Sequence, residues 1–279
     1  MSIWYAVMDL LPFQWLSMNF MKNAFLAILL MAPLFGLLST MIVTGKMSFF
    51  SDALGHSGFT GIAIGVLCGS ALPMAWAVAL AVVIALLFSY VKGHTSHAAE
   101  TIISVFSSTA VALGIFIATL NGSSFTKFNK YLIGDILSVT PGEIGLLAIV
   151  LVLVALLWVL ASNRLVLTSV HPHLASSRGI PVRGYETLFT VSIAVVVTLS
   201  MSWVGLMVVN SLLVLPAAAA RNIARNLREY HLFSIFGALV AGVAGLITSF
   251  YLGSSTGAVI SLYLALLFTI TFCFRKRRA

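Results

Sequence analysis

The chain has 279 residues, of which 61% are hydrophobic and only 8% charged, and its formal net charge is +8. A soluble domain carries roughly 25% charged residues, so a water-facing surface cannot be built from this composition. The positive excess does not point to nucleic acid, because the basic residues are spread over short segments between apolar blocks, where membrane topology alone requires them.

Residues 1–20 contain no Lys or Arg. They therefore lack the basic region that opens a cleaved secretory signal and are expected to stay on the mature chain. Trp4, Tyr5, Phe13 and Trp15, mixed with Asp9, Pro12 and Gln14, suit a short interfacial helix in the outer headgroup layer, where aromatic rings are favoured.

Apolar blocks follow, each long enough to cross about 30 Å of hydrocarbon as a helix of roughly 17 to 25 residues. The expected fold is an all-α polytopic bundle of about nine spans, at 23–43, 48–69, 73–91, 101–120, 142–161, 187–204, 205–220, 231–252 and 257–274. No loop is long enough to form a separate domain, so residues 1–279 read as one transmembrane domain. At the end of the first span Gly45-Lys46 has Thr40 where a phosphate-binding loop would need its first glycine. The chain has no nucleotide site of its own and is not expected to be an enzyme; energy must come from a partner or an ion gradient.

The second span is rich in glycine, with Gly55 and Gly58 followed by the close-packing pattern Gly61, Gly65, Gly69. Faces of small residues let helix backbones approach in lipid, where packing drives association. The span also carries Asp52 four residues before His56, one helical turn apart and so on one face. A carboxylate at the centre of a membrane helix costs about 2.5 to 3.5 kcal/mol and usually faces a partner, a cavity or an ion. A carboxylate with an imidazole suits zinc, manganese or iron better than calcium or magnesium. The same residues could instead be a helix cap and a histidine bonded to a neighbouring span. Cys68 and Cys273 both fall within spans and read as packing residues rather than a disulfide.

After the third span, His94 and His97 precede Glu100. That spacing fits either a metal-sensing site or a solvated loop with an acid at a helix N-terminus. Asp135, before Pro141-Gly142, reads as a cap or a loop carboxylate. The longest polar stretch, 162–186, holds His171-Pro172-His173 and a short helix candidate closed by Gly179 and Pro181. A compact helix between two spans is suited to docking on another protein. Spans six and seven share one apolar run and are expected to be short, turning near Gly205. A weaker small-residue face, Ala238, Gly242 and Gly245, follows in the eighth span.

Orientation follows from the basic residues, which cytoplasmic loops retain. The tail Arg275, Lys276, Arg277, Arg278 places the C-terminus inside. Alternation through nine spans then puts Lys46, Lys92, Arg164, Arg178, Arg183, Arg221, Arg225 and Arg228 inside with it, and only Lys22, Lys127 and Lys130 outside. The N-terminus is expected outside.

Five segments in order along the chain resemble the permease subunits of the manganese, zinc and iron ABC importer family. They are Ser51 to Gly58 with Gly61-Ile62-Ala63, Tyr131 to Leu137, Leu174 to Val182, Val204 to Arg221 through Leu215-Pro216-Ala217, and Gly257 to Ile260. The resemblance implies a multi-pass protein of the bacterial inner membrane that imports zinc or manganese, with iron a third candidate. It implies no permanently bound cofactor, ATP consumed by two cytoplasmic ATPase subunits, a second permease copy, and an extracytoplasmic metal-binding protein. It also implies that Asp52 and His56 are metal-path ligands and that His171, Leu174, Arg178, Gly179 and Pro181 belong to an ATPase-coupling segment. Two positions depart from the family pattern: His171 stands where Asp is common, and Gly253 where an acid is frequent. Two other classes remain: an ion-gradient-driven metal carrier, for which one clear intramembrane acid is thin, and a membrane metalloprotease, for which the His-Glu-x-x-His constellation is missing.

Overall fold

The computed structural model describes residues 2–9, 12, 14–95, 98–119 and 136–275. Among them there is no strand. The α-helices are α1 (Ser2–Asp9), α2 (Asn19–Thr44), α3 (Phe50–Leu67), α4 (Pro73–Lys92), α5 (Ala99–Thr119), α6 (Pro141–Val170), α7 (Pro172–Ser177), α8 (Val182–Val204), α9 (Leu206–Ile223), α10 (Leu227–Leu252) and α11 (Thr256–Cys273). Eight of these are long and apolar enough to span a membrane. The second expected span, α3, is not among the eight, because its 18 residues hold four glycines and the Asp52–His56 pair.

Helix ends follow local chemistry. α6 opens with a capping box, in which the Thr140 N–H donates to Glu143 Oε2 (2.8 Å) and the Glu143 N–H to Thr140 Oγ1 (3.4 Å). α10 opens on Asn226, whose Oδ1 accepts from the Glu229 N–H (2.8 Å). α8 and α9 are divided at Gly205, whose φ of 89° and ψ of 151° are open only to glycine. The break falls where the sequence placed a turn. The helix before it is not short, however: α8 starts at Val182 and has 23 residues.

The polar stretch 162–186 is also more helical than expected. α6 runs on to Val170, past Ser162, Asn163 and Arg164, and only His171 and residues 178–181 lie outside helices. Arg164 is accommodated at the surface by donating from Nη1 to the Tyr185 hydroxyl (2.6 Å).

The chain forms two compact units, each drawn from non-contiguous segments, so no single cut along the sequence separates them. The first comprises Met1–Thr40, Asp135–Ala155 and Trp203–Ala279. In it α2 and α10 pack through Gly36, where an added Cβ would lie 2.6 Å from Ile235 Cα. Ser39 and Ser234 join their hydroxyls at 2.8 Å, and Ser234 Oγ donates to Gly36 O (2.7 Å). The Ala238 face of α10 packs in two directions, Gly242 toward Ile28 of α2 and Gly245 against Ile260 of α11. The N-terminal segment is fastened to the start of α2. Trp4 Nε1 donates to Lys22 O (3.1 Å), the Tyr5 hydroxyl to Asn23 Oδ1 (2.7 Å), and Asp9 pairs with the buried Lys22 ammonium.

The second unit comprises Met41–Gly134 and Leu156–Ser202. Its core gathers Phe59, Ile62 and Ala63 of α3, Ala77 of α4, Ala118 of α5 and Met201 of α8. Thr60 Oγ1 lies 3.0 Å from His56 O and 2.6 Å from Ala110 O, tying α3 to α5.

Two expectations need correction. Gly69 does not pack: it lies beyond α3 with a φ of 64° and open space where a Cβ would be, so its role is to turn the chain. Cys68 and Cys273 are exposed free thiols, one just past the end of α3 and the other at the last residue of α11, rather than packed core residues.

Candidate functional site

α3 is held by contacts that leave no room for larger side chains. A Cβ on Gly61 would lie 2.5 Å from Ala77 Cα and 2.6 Å from Trp76 O, and one on Gly65 3.0 Å from Pro73 Cα. Gly58 faces Met201 and Thr198 of α8 at 3.1 to 3.2 Å. As a result every residue from Phe50 to Gly65 is buried except Asp52, His56 and Ile64.

His56 Nε2 and Asp52 Oδ2 are 3.5 Å apart, with side chains 28% and 42% exposed. That is long for a direct hydrogen bond. It matches the edge of a coordination tetrahedron, since two ligands about 2.1 Å from a tetrahedral zinc ion stand about 3.4 Å apart. Among the described residues no group of three or more His, Cys, Asp or Glu side chains converges as a metal site. The pair therefore offers two ligands of the four to six that a transition metal takes. The buried hydroxyls of Ser51, on this helix, and Thr198, on α8 beside it, make no hydrogen bond. They were not singled out in the sequence, where Ser and Thr in a span are too common to signal a site.

The other candidate residues lie apart from this pair. His94 Nδ1 is 2.8 Å from Tyr90 O and its ring lies against that of Tyr90 at a tilt of 32°, a local contact. His97, Asp135 and most of the Tyr131–Leu137 segment lie outside the described residues, as do Lys127, Lys130 and the tail from 276. Glu100 falls in the first turn of α5, where an acid favours the helix N-terminus.

α7 carries the coupling candidates. His171 precedes its first turn without capping it through its side chain, and Pro172 begins it. The Gly179 and Ile180 N–H groups close it on Ser176 O (3.0 Å) and Ala175 O (3.1 Å), with Gly179 at a φ of 72°. His171, Leu174, Arg178, Gly179 and Pro181 are all exposed, and Ala175 alone of this helix is buried. Gly253 likewise has a structural reason to be glycine: it ends α10 at a φ of 61°, where an acidic side chain would be strained.

A profile of the family described as the ABC 3 transport family matches residues 17–275. The chain is 26% identical to the high-affinity zinc uptake system membrane protein ZnuB of Haemophilus influenzae, over 86% of this chain and 92% of that protein. It is 28% identical to the manganese import system permease protein ScaB of Streptococcus gordonii, over 91% of each. Its fold is similar to a solved chain of PsaBC from Streptococcus pneumoniae in complex with Fab, with a TM-score of 0.80, 26% identity, and 97% and 95% of the two chains covered.

Proposed function

The chain belongs to the ABC 3 transport family as a multi-pass metal transporter permease, and from that premise we propose that it imports zinc or manganese, with iron a third candidate, across a bacterial inner membrane. ATP is hydrolysed in separate cytoplasmic subunits. The observation that carries the reading is the partial exposure of Asp52 and His56 in a helix stretch, Phe50 to Ala63, whose other residues are all buried.

In this reading the Asp52 carboxylate offsets the cost of stripping water from the cation, and the His56 imidazole supplies the borderline-soft donor that favours a transition metal. A second permease copy, other spans or water complete the coordination. An incomplete set suits transport, because an ion bound too firmly cannot leave. The N-terminus faces outward toward an extracytoplasmic binding protein. The exposed α7 faces the cytoplasm, where it docks on the ATPase through His171, Leu174, Arg178, Gly179 and Pro181.

The test is uptake by the complex reconstituted in vesicles, with zinc, manganese and iron in competition. The reading expects uptake of zinc or manganese that requires ATP and the ATPase subunits. Uptake driven by a proton gradient without them would favour the secondary carrier instead.

A further inference from the structure

A second feature of the second unit is distinct from the Asp52–His56 pair. A cavity of about 250 Å³ opens where α2, α4, α6 and α8 end or begin. Its lining includes the buried Met41, Leu165 and Phe189 and the polar Lys92, Glu186, Ser169 and Tyr185. Lys92 and Glu186 form an ion pair whose side chains are only 25% and 33% exposed. Ser169 Oγ is buried and makes no hydrogen bond, whereas Tyr185 already accepts one from Arg164.

Three observations limit the occupant. The volume is below the roughly 300 to 1,000 Å³ of sites that take drug-sized ligands, so it fits a group of several heavy atoms. Its lining does not suit a metal ion, because Glu186 is the one His, Cys, Asp or Glu side chain among the lining residues and it is already paired with Lys92. Its walls are the ends of membrane-spanning helices, so it lies at headgroup depth. Arg164 and Arg183, both exposed, add positive charge on the same helix ends, which attracts phosphate.

Lys92 and Glu186 meet through one ammonium N–H and Oε1, which leaves further ammonium donors, Oε2 and the Ser169 hydroxyl to bind. A ligand that takes a donor and an acceptor of a neutral pair at that depth is itself a zwitterion with an amine that donates hydrogen bonds. We propose that this cavity binds the phosphoethanolamine headgroup of a membrane phospholipid. Lys92 Nζ and the Ser169 hydroxyl take the phosphate, Glu186 takes the ammonium, and Met41, Leu165 and Phe189 cover the start of the glycerol and acyl chains. Lipid bound here would brace α4 against α8 beside α7, where Ser89 Oγ and Thr187 Oγ1 already meet at 2.5 Å and Arg183 Nη2 donates to Gly93 O (3.2 Å).

The purified full chain would be titrated with phosphatidylethanolamine, phosphatidylcholine, phosphatidylglycerol or soluble phosphoethanolamine, followed by native mass spectrometry and thermal melting. The wild type is expected to retain phosphatidylethanolamine about tenfold more tightly than the choline lipid, whose methylated amine cannot donate to Glu186; one lost charge-assisted hydrogen bond produces a ratio of that order. It is expected to melt at a higher temperature with that lipid, and soluble phosphoethanolamine should bind far more weakly. Glu186→Gln, which keeps an acceptor but loses the charge, should weaken the preference, and Ser169→Phe, which fills the cavity, should erase retention. Equal retention of the ethanolamine and choline lipids by the wild type, or an unchanged preference in Glu186→Gln, would overturn the proposal. These readouts involve no metal and no ATPase, so they fail or succeed independently of the transport reading.

Discussion

α3 and α6 invert the pattern of a soluble protein. α6 is one continuous apolar helix of 30 residues, yet only 28% of its most apolar window is buried, with Ile149, Val152, Val159 and Leu160 prominently exposed. α3 is too polar and glycine-rich to stand among the eight apolar helices, and it is buried almost throughout. α2 and α8, at 67% and 61%, fall with α3, and α4 and α11, at 22% each, with α6. In lipid an apolar side chain gains little from leaving the surface, so the most apolar helices can face the bilayer. Small and polar residues mark the places where helices must touch or where an ion must pass.

This contrast can be broken most severely at Gly61. Gly61→Leu places a branched side chain where even a Cβ meets the Ala77 backbone at 2.5 Å. Overpacking typically costs about 1 to 3 kcal/mol and sometimes more, and with backbone on the other side the upper end is expected. Loss of monodisperse, folded protein in detergent would be the observation, and a wild-type melting temperature would refute the packing.

Next in size is an effect on function without one on the fold. Leu174→Asp on the exposed α7 should leave stability within about 0.5 kcal/mol while abolishing ATP-dependent uptake by the reconstituted complex. Normal assembly with the ATPase and normal uptake would remove α7 from the coupling role. Gly58→Ala should be milder than Gly61→Leu, about 1 to 2 kcal/mol, because the atoms it meets first belong to the flexible Met201 side chain. A melting curve decides whether it is. The smallest effect is expected on α6, where Val159→Ala at a position 79% exposed should shift stability by less than about 0.5 kcal/mol in detergent. A larger loss would mean that this face is covered by protein.

Much of this was legible in the sequence. The spans could be read because each must satisfy its backbone internally and cover a fixed thickness, and Gly205, Gly179 and Pro181 marked breaks that depend on backbone geometry alone. The Asp52–His56 spacing set both side chains on one face before any contact was known. What could not be read depends on tertiary packing. Nothing along the chain says that Gly69 turns rather than packs, that Arg164 donates to Tyr185 from within a helix that runs on to Val170, or that Asp9 meets a buried Lys22. The Lys92–Glu186 cavity likewise joins residues far apart in sequence and has no local signature.

The decisive experiment is metal uptake by the double variant Asp52→Asn, His56→Ala, assembled with its ATPase and compared with the wild type at matched levels of folded complex. Both side chains are partly exposed and neither fills the core, so the variant should insert, melt within about 0.5 kcal/mol of the wild type and bind the ATPase, while uptake falls to background. Wild-type uptake in that variant would contradict the assignment and return the pair to a helix cap and a packing histidine.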